Sequence, residues 1–245
     1  MFLADLQIHS CLSPCGSLDS SPRNIAFAAK EKGLDIIALT DHNTADNCPA
    51  FHDVVKQIPN LTAYFGAEVT SAEEVHLICL FGNVDTAVDF GNFVKSHLHY
   101  RENEPEHFGF QPIVDAEDNI IDFEKTFLVG STDLSIDKIT DSVHSRQGLV
   151  IASHVDRALF GLFENLGIWP EDANIDAADL SPRAVNETKW RALIPENVPI
   201  IRTSDAHYLD DIGRQFTAVD MKDSDFESFK NALSQMRVNP KICLI

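Results

Sequence analysis

Asp35-Ile36-Ile37-Ala38-Leu39-Thr40-Asp41-His42-Asn43 is the stretch on which the fold turns. Ile36 to Leu39 are apolar without alternation. That marks a strand buried on both faces, and such strands belong to parallel sheets covered by helices. The run then breaks into Thr40, Asp41 and His42. In parallel α/β barrels the C-terminal ends of the strands converge on one face, where such folds carry their active sites.

Outward from this stretch the pattern repeats. Residues 3–9 read as an earlier strand, and a helix over 22–32 is opened by Ser21 as N-cap and closed by Gly33. A helix over about 47–57 follows, then strands at 63–70 and 75–81. Later strands are expected at 149–153, 178–181, 199–203 and 216–221, with helices near 183–194 and 224–236. The alternation predicts an α/β fold approaching a (β/α) barrel, and 245 residues fit one such domain over 1–245 better than two. Residues 100–131 break the rhythm with Pro105, Pro112 and the turn Asp115-Ala116-Glu117-Asp118-Asn119. Apolar runs flank that turn, so an inserted β-hairpin is expected, as a lid, a dimer contact or a plain surface excursion.

Composition bounds the function. Hydrophobic residues at 44% and charged residues at 23% describe an ordinary globular protein. No run of ~18 apolar residues predicts a transmembrane helix, and Met1-Phe2-Leu3-Ala4-Asp5 lacks the basic, then apolar, start of a signal peptide. A reducing cytoplasm and no membrane partner are therefore expected. The cysteines (Cys11, Cys15, Cys48, Cys79 and Cys243) are odd in number and irregularly spaced, against a disulfide framework. Lys and Arg number 19 against 38 Asp and Glu, a net charge of −19. Such a surface argues against extended nucleic acid as a partner, which proteins grip with clustered basic residues. Small phosphorylated substrates stay open, because bound cations reverse the field inside a pocket.

The polar residue types cluster where strands end. Gln7 and His9 lie two apart in a strand and share a face. His42 follows the buried strand, Glu68 ends the next, and His76 begins the one after it. His154 closes a strand beyond the insertion, and Asp205 and His207 again share a face. A lone histidine after a strand is more often structural than a ligand. Here five of the ten histidines, with Glu68 and Asp205, fall beside strands. Imidazoles and carboxylates without thiolates suit catalytic zinc, manganese or iron, with magnesium possible. His52, His97, His99, His107 and His144 lack such partners and receive no ligand role.

Asp5-Leu6-Gln7-Ile8-His9-Ser10, Leu39-Thr40-Asp41-His42-Asn43, Gly66-Ala67-Glu68-Val69, Glu74-Val75-His76, Ser153-His154 and Ser204-Asp205-Ala206-His207 together resemble the polymerase and histidinol phosphatase (PHP) superfamily, in its stand-alone phosphoesterase form. The resemblance covers nearly the whole chain and implies a distorted (β/α)7 barrel holding two to three divalent metal ions. It implies one ion on Gln7, His9, Glu68 and Asp205, and a second on Glu68, His76 and His154. A third would take His42, His207 and a residue of the loop after His9, with Asp19 the choice and Cys15 its rival. Gln7 departs from the family's His-x-His. An amide oxygen is a weaker donor than imidazole for zinc-like ions, so Gln7 marks either a tolerated change of metal preference or a partly disabled site.

Glu68, shared between two ions, predicts in-line attack on phosphorus by a hydroxide held between them. Asp41 is expected to orient a neighbouring ligand, and Arg157 to clamp phosphate, with Arg202 and Arg214 as further candidates for substrate binding. The expected activity is hydrolysis of phosphomonoesters or small phosphodiesters such as nucleotide or sugar phosphates. The alternatives are an amidohydrolase-like enzyme or a degenerate metal-binding regulatory module.

Overall fold

The computed structural model describes residues 1–181, 184 and 187–242. Nine of its strands form one sheet: β1 (Phe2–Ile8), β2 (Ile36–His42), β3 (Thr62–Thr70), β4 (His76–Phe81), β7 (Leu149–Ala152), β8 (Ala177–Asp179), β9 (Ile200–Ile201), β10 (Gln215–Val219) and β11 (Val238–Ile242). A separate hairpin pairs β5 (Pro112–Val114) with β6 (Ile120–Phe123) around the Asp115–Asn119 turn. The large sheet runs β11-β10-β1-β2-β3-β4-β7-β8-β9. Its two ends nearly meet. Just past β9, the Arg202 amide donates to Thr217 Oγ1 of β10 (2.9 Å), and that hydroxyl donates back to the Arg202 carbonyl (2.9 Å). The result is an α/β fold with a nearly closed, barrel-like sheet.

Local signals explain the elements. The helix Pro22–Glu31 opens with Pro22 at its first turn, and the Ser21 hydroxyl accepts the Asn24 amide proton. It lays Ile25, Ala26 and Ala29 against the sheet. The helices Val84–Ser96 and Ile136–Ser145 are capped in the same way by Asn83 and Ser135. The strand β11 was not anticipated, because Pro240 interrupts its run. Proline is tolerated there because β11 is a sheet edge that pairs with β10. The helix expected near 183–194 is observed over Glu187–Arg191; residues 182, 183, 185 and 186 of that span, and Cys243, lie outside the described residues. The four described cysteines are free. Among the described residues no helix is long and apolar enough to cross a membrane.

Two apolar clusters lie on opposite faces of the sheet. The outer one joins the helices to Ile37, Leu39, Phe65, Val69 and Val150. The inner one fills the lower barrel with Ala4, Leu6, Ile36, Ala38, Tyr64, Ile78, Leu80 and Ile151. Read upward along the inner face, β2, β3, β4 and β7 turn from apolar to polar: Ala38 to His42, Tyr64 to Glu68, Ile78 to His76, Ile151 to Ser153. The core thus ends in a polar rim by strand periodicity alone. The strand β1 needs one more device. Its register with β2 shifts between Asp5 and Ile8, so one extra residue enters the strand. Leu6 joins the inner cluster, Ile8 the outer one, and Gln7 and His9 are turned to the interior.

The sheet departs from a uniformly parallel barrel at β4, which is antiparallel to both β3 and β7. Thr70 pairs with His76 across a tight reversal. A residue at the start of β4 therefore reaches the same rim as residues at the ends of β2 and β3.

Candidate metal centre

Glu68 stands at the middle of the rim, 1% exposed, with four imidazoles around it. His76 Nδ1 and His154 Nε2 lie 3.1 and 3.2 Å from Oε1. His42 Nδ1 and His9 Nε2 lie 3.3 and 3.4 Å from Oε2. His9 Nε2 is also 3.3 Å from Asp205 Oδ1. The His207 ring stacks on His9 with centroids 4.3 Å apart. Three sets of ligand atoms lie mutually within 4.8 Å: His9, Glu68 and Asp205; His42, Glu68 and His76; His9, His42 and His207. His154 joins through Glu68.

These groups fit divalent cations by a test internal to the structure. Buried polar atoms almost always find hydrogen-bond partners. Here His9 Nε2, His42 Nδ1, both His76 nitrogens, His154 Nδ1 and Asp205 Oδ1 are buried without one among the described residues. The electrostatics agree. Burial works against a charged His9, but the Asp205 and Glu68 carboxylates overcome it and raise its pKa to about 10. Burial likewise opposes ionised Glu68, yet His76, His154 and His9 hold it well below its usual range. Asp205 is held down mainly by His9, against its own burial. Burial, then His9, lowers His42 and His207. A pocket that keeps carboxylates ionised and draws a proton onto one imidazole is built for positive charge.

Supports lie beneath the ligands. The buried Asp41 carboxylate accepts the Ser10 amide (2.7 Å), the Ser10 hydroxyl (2.6 Å) and the Ser13 hydroxyl (2.7 Å). Ser13 Oγ in turn lies 3.1 Å from His9 Nδ1 and accepts the His42 amide at 3.2 Å. Asp179 accepts the amides of His154 (3.1 Å) and Thr203 (2.9 Å), fixing both later ligand loops. Burial pushes its carboxyl well above the usual range. Asp5 ties the Asp205 loop to β1 by accepting the Ser204 amide (2.9 Å). His154 and Asp205 themselves adopt positive φ (29° and 50°), unusual for side chains with a Cβ and a mark of strain held at a site. Ser13 and Asp179 were missed from sequence, since a Ser in a turn and an Asp in an apolar strand carry no ligand pattern.

The other predicted residues separate. Gln7 is buried beside Glu68, with its amide Nε2 donating to Oε1 at 2.7 Å. Asp19 is exposed and belongs to none of the three clusters, its backbone serving a turn with Ser17 and Asn24, so the structure does not bring it to the centre. Cys15 is exposed on the same loop and equally outside them. Arg157 lines the cleft above the rim and pairs with Asp205. Arg214 lines the same cleft and pairs with Asp211. Arg202 does not reach it: its side chain is buried, donating to the Ser181 carbonyl (3.0 Å) and pairing with Glu187 (2.8 Å), a lock across the closing strands. The cleft measures about 670 Å3, and Tyr208 and Leu159 stand exposed at its mouth.

An α/β barrel whose rim gathers imidazoles and carboxylates about one shared glutamate is the architecture of metal-dependent hydrolases. The chain belongs to the PHP domain family, whose model matches residues 5–184. It is 36% identical over 90 residues to an uncharacterized protein of Methanocaldococcus jannaschii, covering 34% of this chain and 52% of that one. Among solved structures it resembles the lesion-specific endonuclease Q of Pyrococcus furiosus (TM-score 0.70, 21% identity, 99% of this chain and 58% of that one). It also resembles an endonuclease Q complex with a 27-mer duplex bearing an abasic lesion at the active site (TM-score 0.68, 20% identity, 98% and 58%). A protein of Bifidobacterium adolescentis described as a candidate metal-dependent phosphoesterase shares the fold over 94% of this chain and 95% of its own (TM-score 0.60, 14% identity). The chain thus spans about half the length of the curated relative and 58% of each endonuclease Q chain.

The fold and the family are those of the PHP domain. One expectation is overturned. The net charge argues against extended nucleic acid, yet endonuclease Q, with the same fold, is seen in complex with a DNA duplex whose abasic lesion lies at the active site. Net charge averages over a whole surface, whereas a phosphate is bound by the local field of a cleft, which bound cations invert.

Proposed function

We propose that this chain is a metal-dependent phosphoesterase acting in the cleft above Glu68. The observation that carries the reading is the ring of buried, unpartnered nitrogens and oxygens converging on that carboxylate. His9, Asp205, His42, His207, His76 and His154, with Glu68, would hold the ions. When bound, divalent ions supply an acidified water and positive charge against phosphoryl oxygens. The chain's own groups do the rest. Arg157, braced by Asp205, offers its remaining guanidinium donors to a phosphate, and Arg214 adds charge across the cleft. Asp41 and Asp179 keep the ligands at their angles.

Phosphomonoesters and phosphodiesters of nucleotides or sugars are one substrate class. Nucleic-acid phosphodiesters are the second, favoured by the likeness to endonuclease Q. The test pairs elemental analysis of protein purified without chelators with three assays: nitrophenyl phosphate, bis(nitrophenyl) phosphate and a duplex carrying one abasic site. Metal-dependent release of nitrophenolate or strand scission is expected. Bound metal with amide cleavage and no phosphoester turnover would favour the amidohydrolase alternative, and absence of bound metal would leave the regulatory-module reading.

A further inference from the structure

Gln7 is the one predicted ligand whose polar atoms are both already taken. Its Nε2 donates to Glu68 Oε1 at 2.7 Å. Its Oε1 accepts the hydroxyl proton of Thr203 (3.0 Å), and the Ser153 hydroxyl, whose single proton is shared with Glu68 Oε1, lies 3.2 Å away. The surrounding His9, His42, His76, His154 and Asp205 each keep a buried polar atom without a partner, and Gln7 keeps none. Glu68 decides which way the amide faces: reversed, it would set an amide oxygen against a carboxylate oxygen at 2.7 Å. Ser153 Oγ also lies 2.9 Å from the same Oε1, so that oxygen is engaged by side chains while Oε2 faces His9 and His42.

We infer that Gln7 is a positioning residue and not a metal ligand, so the seat made by His9, Glu68 and Asp205 has three protein ligands where an imidazole at position 7 would make a fourth. The inference rests on the reading that this rim holds divalent ions. Gln7 aims Glu68 by a neutral donor, and Thr203 and Ser153 hold the amide from behind. The seat nearest β1 is left more open and weaker than its neighbours.

Crystals of the wild-type protein loaded with manganese test this by anomalous scattering. The expected result is an ion on His9, Glu68 and Asp205 with the Gln7 oxygen outside bonding distance; an ion bound to that oxygen at about 2.0–2.2 Å overturns the inference. Solution titration with manganese gives a second reading through Gln7→Ala and Gln7→His. At saturation Gln7→Ala should bind as many equivalents as wild type, with affinity lowered by about 10–100-fold, as for loss of an outer support. Gln7→His should bind its weakest equivalent at least about tenfold more tightly, through the added imidazole. A folded Gln7→Ala lacking one equivalent, or Gln7→His binding no more tightly than wild type, overturns it. Failure of every form to bind metal overturns both this inference and the proposed function. Metal binding as expected without phosphoester turnover sinks the function alone.

Discussion

Replacing Ser13 with Ala removes one hydroxyl from beneath the metal centre, and the structure sets the size of the loss. Ser13 Oγ gives its proton to Asp41 Oδ1 (2.7 Å), so it can only accept from His9 Nδ1 (3.1 Å) and from the His42 amide (3.2 Å). That acceptor fixes His9 with its proton on Nδ1 and turns Nε2 toward Glu68 and Asp205. Ser13→Ala breaks three buried hydrogen bonds and strands two donors, which should cost about 2–4 kcal/mol of stability in the metal-free protein. With the imidazole free to turn, metal affinity should fall about 10–100-fold, or about 1.4–2.8 kcal/mol. Urea unfolding of the metal-free protein reads the first quantity, and competition with a chromophoric chelator reads the second. A folded Ser13→Ala protein that binds metal within about twofold of wild type would refute the claim that Ser13 and Asp41 orient His9.

Three further outcomes are expected. His154→Ala, which takes one imidazole from Glu68 Oε1, should lower phosphoester turnover at least about 100-fold, measured on protein of known metal content; near-normal turnover would remove His154 from the centre. Stripping metal with a chelator should lower the melting temperature by about 5–10 °C relative to protein at 100 times the dissociation constant, read by calorimetry. An unchanged transition would mean that metal does not bind the native state in preference to the unfolded chain. His144 pairs with Asp176 at 2.9 Å, and that hydrogen bond raises its pKa against partial burial. A raised folded-state value means the pair's stabilisation is whole below about pH 6.5 and fades as pH rises through the folded value. The stability gap between wild type and His144→Gln should therefore be larger near pH 6 than near pH 9 in paired urea titrations, and a gap that widens with pH would reverse the assignment.

Much of this protein was legible in order along the chain. Apolar runs ending in His42, Glu68 and His154 announced buried strands with a reactive end, since a strand inside a barrel must be apolar below and is free to be polar at its rim. The α/β class, the PHP resemblance and the residue types of the centre follow from that local pattern. The reach of a side chain across the fold does not. Arg157 and Arg202 both read as substrate-binding candidates in the sequence, yet one lines the cleft and the other locks Glu187 behind it.

What the sequence determined by itself was chemistry and period: which residue types able to bind metals end the strands, and which strands are buried on both faces. Only the tertiary structure decided geometry. The reversal of β4 carries His76 to the rim, and the extra residue in β1 turns Gln7 and His9 inward. The three-dimensional surroundings of Gln7 engage both its amide atoms, while His9, His42, His76 and His154 each keep a buried nitrogen without a partner. The physical reason is range. Burial and periodicity are properties of neighbours along the chain, whereas hydrogen bonds such as that of Gln7 to Glu68 or Thr203 join residues that only the closed sheet brings within 3 Å.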